Sequence, residues 1–285
     1  MSDQNRRVAF LNEMGLGPVW SRRGAATLLE QDDAPADAPV PVISSVTASA
    51  PVEKELRVAE NTSSAWADVA PAKIAAISPV VTKPTIPVTE VAQMDWEQLK
   101  SVVSTCTQCD LCKSRTQTVF GVGDQKARWL FVGEGPGRNE DFQGLPFVGP
   151  AGKLLDNMFV AMGMKRGENT YIANIVKCRP TDSNKRDRPP AGEESRSCMP
   201  YLERQIALIN PTVIVALGKT AALSLLKLDP ATPVSKLRGT VHRYAGLPVI
   251  VTYHPAYLLR SPADKGKAWA DLCLAMQTYT GSADA

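Results

Sequence analysis

Trp129-Leu-Phe-Val-Gly-Glu-Gly-Pro-Gly137 is a short apolar run that breaks into a glycine-rich turn. Four bulky apolar residues bounded by such a turn read as a buried strand. Behind it, Leu154-Leu155, Met158-Phe159 and Met162 recur at helical spacing. Strand and helix patterns then alternate along the chain. Tyr171-Ile-Ala-Asn-Ile-Val176 reads as a second strand, Glu193 to Ile209 as a helix, and Thr212-Val-Ile-Val-Ala-Leu217 as a third strand. Lys219 to Lys227 follows as a helix, Leu247-Pro-Val-Ile-Val-Thr252 as a fourth strand, and a last helix starts near Lys265. Strands alternating with helices predict an α/β fold, a three-layer αβα sandwich around a mainly parallel four-stranded sheet. Ligands of such sheets gather beyond the carboxyl ends of the strands. No internal repeat is present.

Around this region the chain is uneven. It has 285 residues, with 32 Lys and Arg against 29 Asp and Glu, so no polycation forces a nucleic-acid reading. No apolar run approaches the roughly 18 residues of a membrane span. Arg6-Arg7 resembles an export signal only until Asn12 and Glu13 interrupt the apolar stretch behind it. A soluble, cytoplasmic monomer is expected. Glycine is absent between Gly24 and Gly121, and residues 31–90 hold 8 of the 22 prolines. With few large apolar side chains and no period, that stretch cannot offset its ordering entropy. The expected division is an N-terminal peptide at 1–30, a disordered linker at 31–92 and a domain at 93–285.

The strand ends carry the chemistry. Gly133-Glu-Gly-Pro-Gly137 is followed by Asn139-Glu-Asp141 and Gln143-Gly-Leu-Pro-Phe-Val-Gly149. A dinucleotide fingerprint is a poor match, since Pro136 intrudes and no helix opens at the last glycine. Asn174 lies among apolar residues of the second strand, which by itself also suits a satisfied buried amide. The fourth strand ends in Tyr253-His254-Pro255, and a histidine there faces the expected site. All six cysteines lie beyond residue 100. Cys106, Cys109 and Cys112 are spaced by two residues, Cys178 closes the second strand, Cys198 sits in the next helix, and Cys273 suits the core of the last one. Four such thiolates can bind zinc or an iron–sulfur cluster, and spacing does not choose between them.

Taken in order, these motifs resemble the family-4 uracil-DNA glycosylases. The resemblance runs from Thr105 to about Ala263 and rests on Cys106-x2-Cys109, Gly-Glu-Gly-Pro-Gly at 133–137, Pro-Phe-Val-Gly at 146–149, Asn-Ile-Val-Lys-Cys-Arg-Pro at 174–180, Cys198 and His-Pro-Ala-Tyr-Leu-Leu-Arg at 254–260. It implies a DNA repair glycosylase that flips deoxyuridine out of the stack and hydrolyses its N-glycosidic bond. It makes Cys106, Cys109, Cys178 and Cys198 the ligands of one structural [4Fe–4S] cluster, with Cys112 a spare thiol or alternate ligand. Phe147 becomes the stacking platform, Asn174 the reader of uracil O4 and N3–H, and His254 the donor to uracil O2. Where other branches carry a water-orienting aspartate, this chain has Gly135. Glu134 and Glu140 are the catalytic carboxylates on offer, with Asn184 behind them. Gly137 stands where other branches exclude thymine with tyrosine. Leu258 or Leu259 is expected to wedge into the vacated stack and Arg260 to meet a phosphate. Lys177, Arg179, Lys185, Arg186 and Arg188 form a basic loop suited to the DNA backbone.

Two other readings were weighed: a glycosylase-fold protein that binds or covalently traps uracil-DNA without turnover, and an inactive zinc-bound scaffold. The trapping branch shares Gly-Leu-Pro-Phe-Val-Gly-Pro-Ala-Gly at 144–152, but no basic insert ending in histidine precedes Cys178. Separately, Arg6-Arg7, Phe10-Leu11, Met14-Gly15 and Trp20-Ser-x-Arg23 are similar to the start of the psi subunit of the bacterial clamp loader. That similarity implies a replicative partner for residues 4–30 and a nucleoid-associated enzyme.

Overall fold

The computed structural model describes residues 88–283. Helices α1 (Val88–Val91) and α2 (Trp96–Ser104) precede a 3-10 turn at Asp110–Lys113. Strands β1 (Val122–Gly123) and β2 (Trp129–Gly133) follow, then α3 (Arg138–Gln143), α4 (Pro150–Ala161), β3 (Thr170–Asn174) and α5 (Gly192–Ile209). The chain continues through β4 (Val213–Leu217), α6 (Lys219–Leu226), β5 (Val241–Tyr244), β6 (Leu247–Thr252), α7 (Pro255–Arg260) and α8 (Lys265–Ala283). The expected N-terminal peptide lies outside the described residues, as does the linker up to residue 87.

The sheet has the order β1-β3-β2-β4-β6-β5. Its four central strands are parallel, as expected, and buried along most of their length. Alternation along them fills two separate cores. Leu130, Val132, Ile214 and Ala216 face α2, α5 and α6, whereas Trp129, Phe131, Val213 and Val215 face α4, α7 and α8. This is the three-layer sandwich, and the period of two along each strand produces it.

Two antiparallel edge strands extend the expected four. β1 has two residues, and Val241-His-Arg-Tyr244 on β5 is half exposed, so neither carries a buried-strand signature. The β5–β6 hairpin turns through Ala245 and Gly246, both at positive φ. Ile175 and Val176 leave the β3 ladder but still donate to the carbonyls of Gly133 and Glu134, 2.9 and 3.2 Å away. The expected linker end is also displaced. Val91 is buried in the first core, so α1 belongs to the packed domain. Among the described residues, no helix is long and apolar enough to cross a membrane.

The chain runs from β2 to β3 on one side and to β4 on the other. That reversal opens a crevice at the carboxyl ends of the strands.

Candidate active site and cysteine cavity

The crevice holds a cavity of about 190 Å³ lined by Glu134, Glu140, Phe147, Asn174 and His254, with Gly135 and Gly137 in its wall. Residues from the ends of β2, β3 and β6 thus meet although 120 positions separate Glu134 from His254. Gly218 makes room for the histidine: a Cβ there would lie 2.9 Å from the His254 Cβ.

Phe147 is buried, and its ring stacks on the His254 imidazole with centroids 5.5 Å apart. Its φ of 54° is a left-handed conformation costing about 1 kcal/mol in an L-residue. Arg166 holds it there, donating from Nη2 to the Phe147 carbonyl at 3.0 Å and from Nη1 to that of Pro146 at 3.2 Å. Asp156 fixes the guanidinium from the other side at 2.6 Å. Gly152 completes the cradle, since a Cβ there would sit 1.8 Å from the same carbonyl. Arg166 and Asp156 were not singled out in the sequence; only the loop geometry reveals their role.

Asn174 is 2% exposed, and its Oδ1 has no hydrogen-bond partner among the described residues. A buried acceptor left unmatched costs about 1–3 kcal/mol, so a partner from outside the chain is called for. Gly133 keeps this oxygen and the Phe147 ring close, because a Cβ there would come within 2.5 Å of one and 2.7 Å of the other.

His254 caps α7 and accepts the Ala256 N–H on Nδ1 at 3.1 Å. The neutral ring therefore carries its proton on Nε2. Burial, then the Arg260 charge, pushes its pKa down to about 4, against a smaller opposing effect of Glu140. At neutral pH the imidazole is an uncharged donor.

The two carboxylates differ. Glu140 is consumed: Oε2 accepts the Gly137 N–H at 3.1 Å and Oε1 accepts those of Val148 and Gly149 at 2.9 and 3.0 Å. It ties the glycine turn to the Phe147 loop. Glu134 has one protein partner, the Thr220 hydroxyl at 2.5 Å, and burial raises its pKa despite that bond. Gly135 leaves no room for a larger residue without displacing Val176, whose Cγ2 would lie 2.7 Å from a Cβ. Asn184 does not line this cavity.

At the rim, Leu258 is a correction. It is fully buried in the second core because α7 turns that face onto α4. Leu259 is 44% exposed and Arg260 is exposed beside it. The basic loop is also reduced. Arg179 pairs with Asp187 at 2.6 Å, Arg188 grips both oxygens of Glu194 at 2.6 and 2.8 Å, and Lys177 is buried. Lys185 and Arg186 remain exposed.

A second, small cavity is lined by five cysteines together with Arg115, Lys177 and Tyr201. Arg115 Nη1 donates to Cys178 Sγ at 3.2 Å, the Lys177 N–H to Cys198 Sγ at 3.2 Å, and the Tyr201 hydroxyl to Cys106 Sγ at 3.3 Å. Burial pushes the Cys109 thiol up, against a smaller opposing effect of a Leu111 backbone hydrogen bond. Burial pushes the Cys178 and Cys198 thiols up to about 11 and about 12. Donors aimed at sulfur suit thiolates that have exchanged their protons for a metal group. Cys112 lines the same cavity without such a donor. Among the described residues no three metal-binding side chains converge as one ion requires; the thiols surround a space instead. Cys273 packs against the second core.

Residues 120–273 match the model of the uracil DNA glycosylase superfamily. A type-4 uracil-DNA glycosylase of Archaeoglobus fulgidus is 45% identical over 166 residues, 56% of this chain and 81% of that protein. Another from Pyrobaculum aerophilum is 40% identical over 64% of this chain and 93% of its own length. A third, from Thermotoga maritima, is 44% identical over 59% and 88%.

Proposed function

We propose a division of labour among the cavity residues of a chain that belongs to the uracil DNA glycosylase superfamily and, within it, to the type-4 uracil-DNA glycosylases. The protein is a hydrolase of N-glycosyl bonds that excises uracil from DNA in DNA repair.

Uracil in a duplex lies inside the stack, so it must be extruded before a side chain can reach it. Phe147 receives its face, and the Asn174 amide reads its edge. Oδ1 accepts uracil N3–H while Nδ2 donates to O4. Cytosine offers an acceptor at N3 and a donor at C4, leaving the amide mismatched on both atoms. A site built on such bonds rejects the wrong edge strongly. Hydrolysis breaks the C1′–N1 bond, and its electron pair passes to the base. His254 Nε2–H donates to uracil O2 as charge develops there, a contribution of about 3–4 kcal/mol. Glu134 orients the attacking water and takes its proton as the oxygen bonds C1′. Glu140 holds the loops. The unpartnered Asn174 Oδ1 carries this reading. Asn174→Asp should lower single-turnover excision by about 10³-fold and admit weak cytosine excision. Uracil excision within tenfold of wild type would overturn the assignment.

Cys106, Cys109, Cys178 and Cys198 would hold one [4Fe–4S] cluster, which when bound cross-links the peptide before β1 to the segments after β3. The support is the set of donors aimed at their sulfurs. On DNA, Leu259 fills the vacated stack while Arg260, Lys185 and Arg186 meet phosphates. Docking of residues 4–30 on a clamp loader rests on their motif alone.

A further inference from the structure

Arg115 stands outside every motif described so far, yet it touches both arms of the cysteine cavity. Its Nη1 donates to the Cys106 carbonyl at 2.7 Å and to Cys178 Sγ at 3.2 Å. These two cysteines are 72 residues apart in the chain and line the same cavity. The side chain is partly buried, and no carboxylate pairs with it among the described residues. Its charge therefore faces sulfur.

The backbone that presents Arg115 is itself pinned. The next two residues, Thr116 and Gln117, donate their N–H groups to the Asp141 carboxylate at 2.9 and 3.5 Å. Asp141 is 4% exposed on α3, one residue from Glu140, which grips the Phe147 loop. The backbone from which the guanidinium projects is thus tied to α3.

Four thiolates bring four negative charges into a partly closed space, and the wall must answer them. Arginine suits this better than lysine, because its charge is permanent and its donors are planar and fixed. We propose that Arg115 is the positioning residue of the cluster site: it clasps the two cysteine arms together and supplies the fixed cation that balances their sulfurs. The inference rests on the cluster reading given above. A cation and an N–H···S bond both favour the more negative, reduced form of a cluster, so removing them should make its potential more negative.

Iron release to a chelator and the midpoint potential, both measured on the full chain purified without air, test this. Arg115→Met should release iron about tenfold faster or more, with a more negative potential. Arg115→Lys keeps the charge but loses the fork, so release should quicken while the potential stays near wild type. Wild-type release and potential in Arg115→Met would overturn the proposal. If that variant does not fold, an Arg115→Lys protein that keeps its iron as long as wild type overturns it equally. A wild-type protein without iron would instead overturn the cluster reading itself.

Discussion

One segment lines both cavities, Asn174 in the first and Cys178, four residues on, in the second, but their polar groups are treated in opposite ways. Around the cysteines, sulfurs are answered from within the chain by a guanidinium, a backbone N–H and a phenol. Around Phe147 the chain leaves its groups short. Among the described residues, Asn174 Oδ1 has no partner, the Glu134 carboxylate keeps one, and the His254 Nε2 proton is uncommitted while Nδ1 is bonded. A region that satisfies its own polar atoms is built to stay closed; one that does not is built to receive a ligand. The shared segment means that the closed region positions the open one.

The sharpest way to break this comparison is to open the closed region. Cys198→Ser should lose iron and folded protein together, read as iron per chain and soluble yield, because both arms depend on one metal group. Full iron with a normal yield would detach Cys198 from the site. Next in size, His254→Ala should slow single-turnover excision by about 10²–10³-fold while DNA affinity stays within about twofold. A loss of affinity with unchanged chemistry would move this histidine from the transition state to binding.

Glu134→Gln should cost about 10²-fold and also change the pH profile. Burial raises the Glu134 pKa above its ordinary 4.5, so the wild-type rate should fall as acid protonates this base at a higher pH than usual. His254, with a pKa near 4, stays neutral throughout that range and adds no limb of its own above about pH 5. In Glu134→Gln the acid limb should flatten; an unchanged limb would point to another base. The smallest effect is the control. Cys112→Ala should leave iron content and turnover unaltered, since no donor addresses its sulfur, and a bleached variant would make it a ligand.

Much of this was legible beforehand. Four parallel strands followed from Trp129-Leu-Phe-Val132 and its three counterparts, because a strand buried on both faces must be apolar throughout. The cavity residues Glu134, Gly135, Phe147, Asn174 and His254 were reached through motifs at strand ends, where chain direction alone predicts a crevice. The four-cysteine set came from the family resemblance, since spacing did not choose between zinc and a cluster. The edge strands did not, because Val241-His-Arg-Tyr244 faces solvent and needs no apolar signature.

What remained depended on which way a side chain points. Leu258 and Leu259 are neighbours of the same type, yet the turn of α7 buries one and exposes the other. Glu134 and Glu140 are both carboxylates near one turn, and only the fold shows that backbone N–H groups engage both oxygens of Glu140. Arg166 and Arg115 carry no motif because their partners are carbonyls and a sulfur contributed by distant segments. Periodicity and motif order are local properties, written in the chain. Which polar atoms are satisfied is a property of the packed whole, and on that the assignment of each residue's role turns.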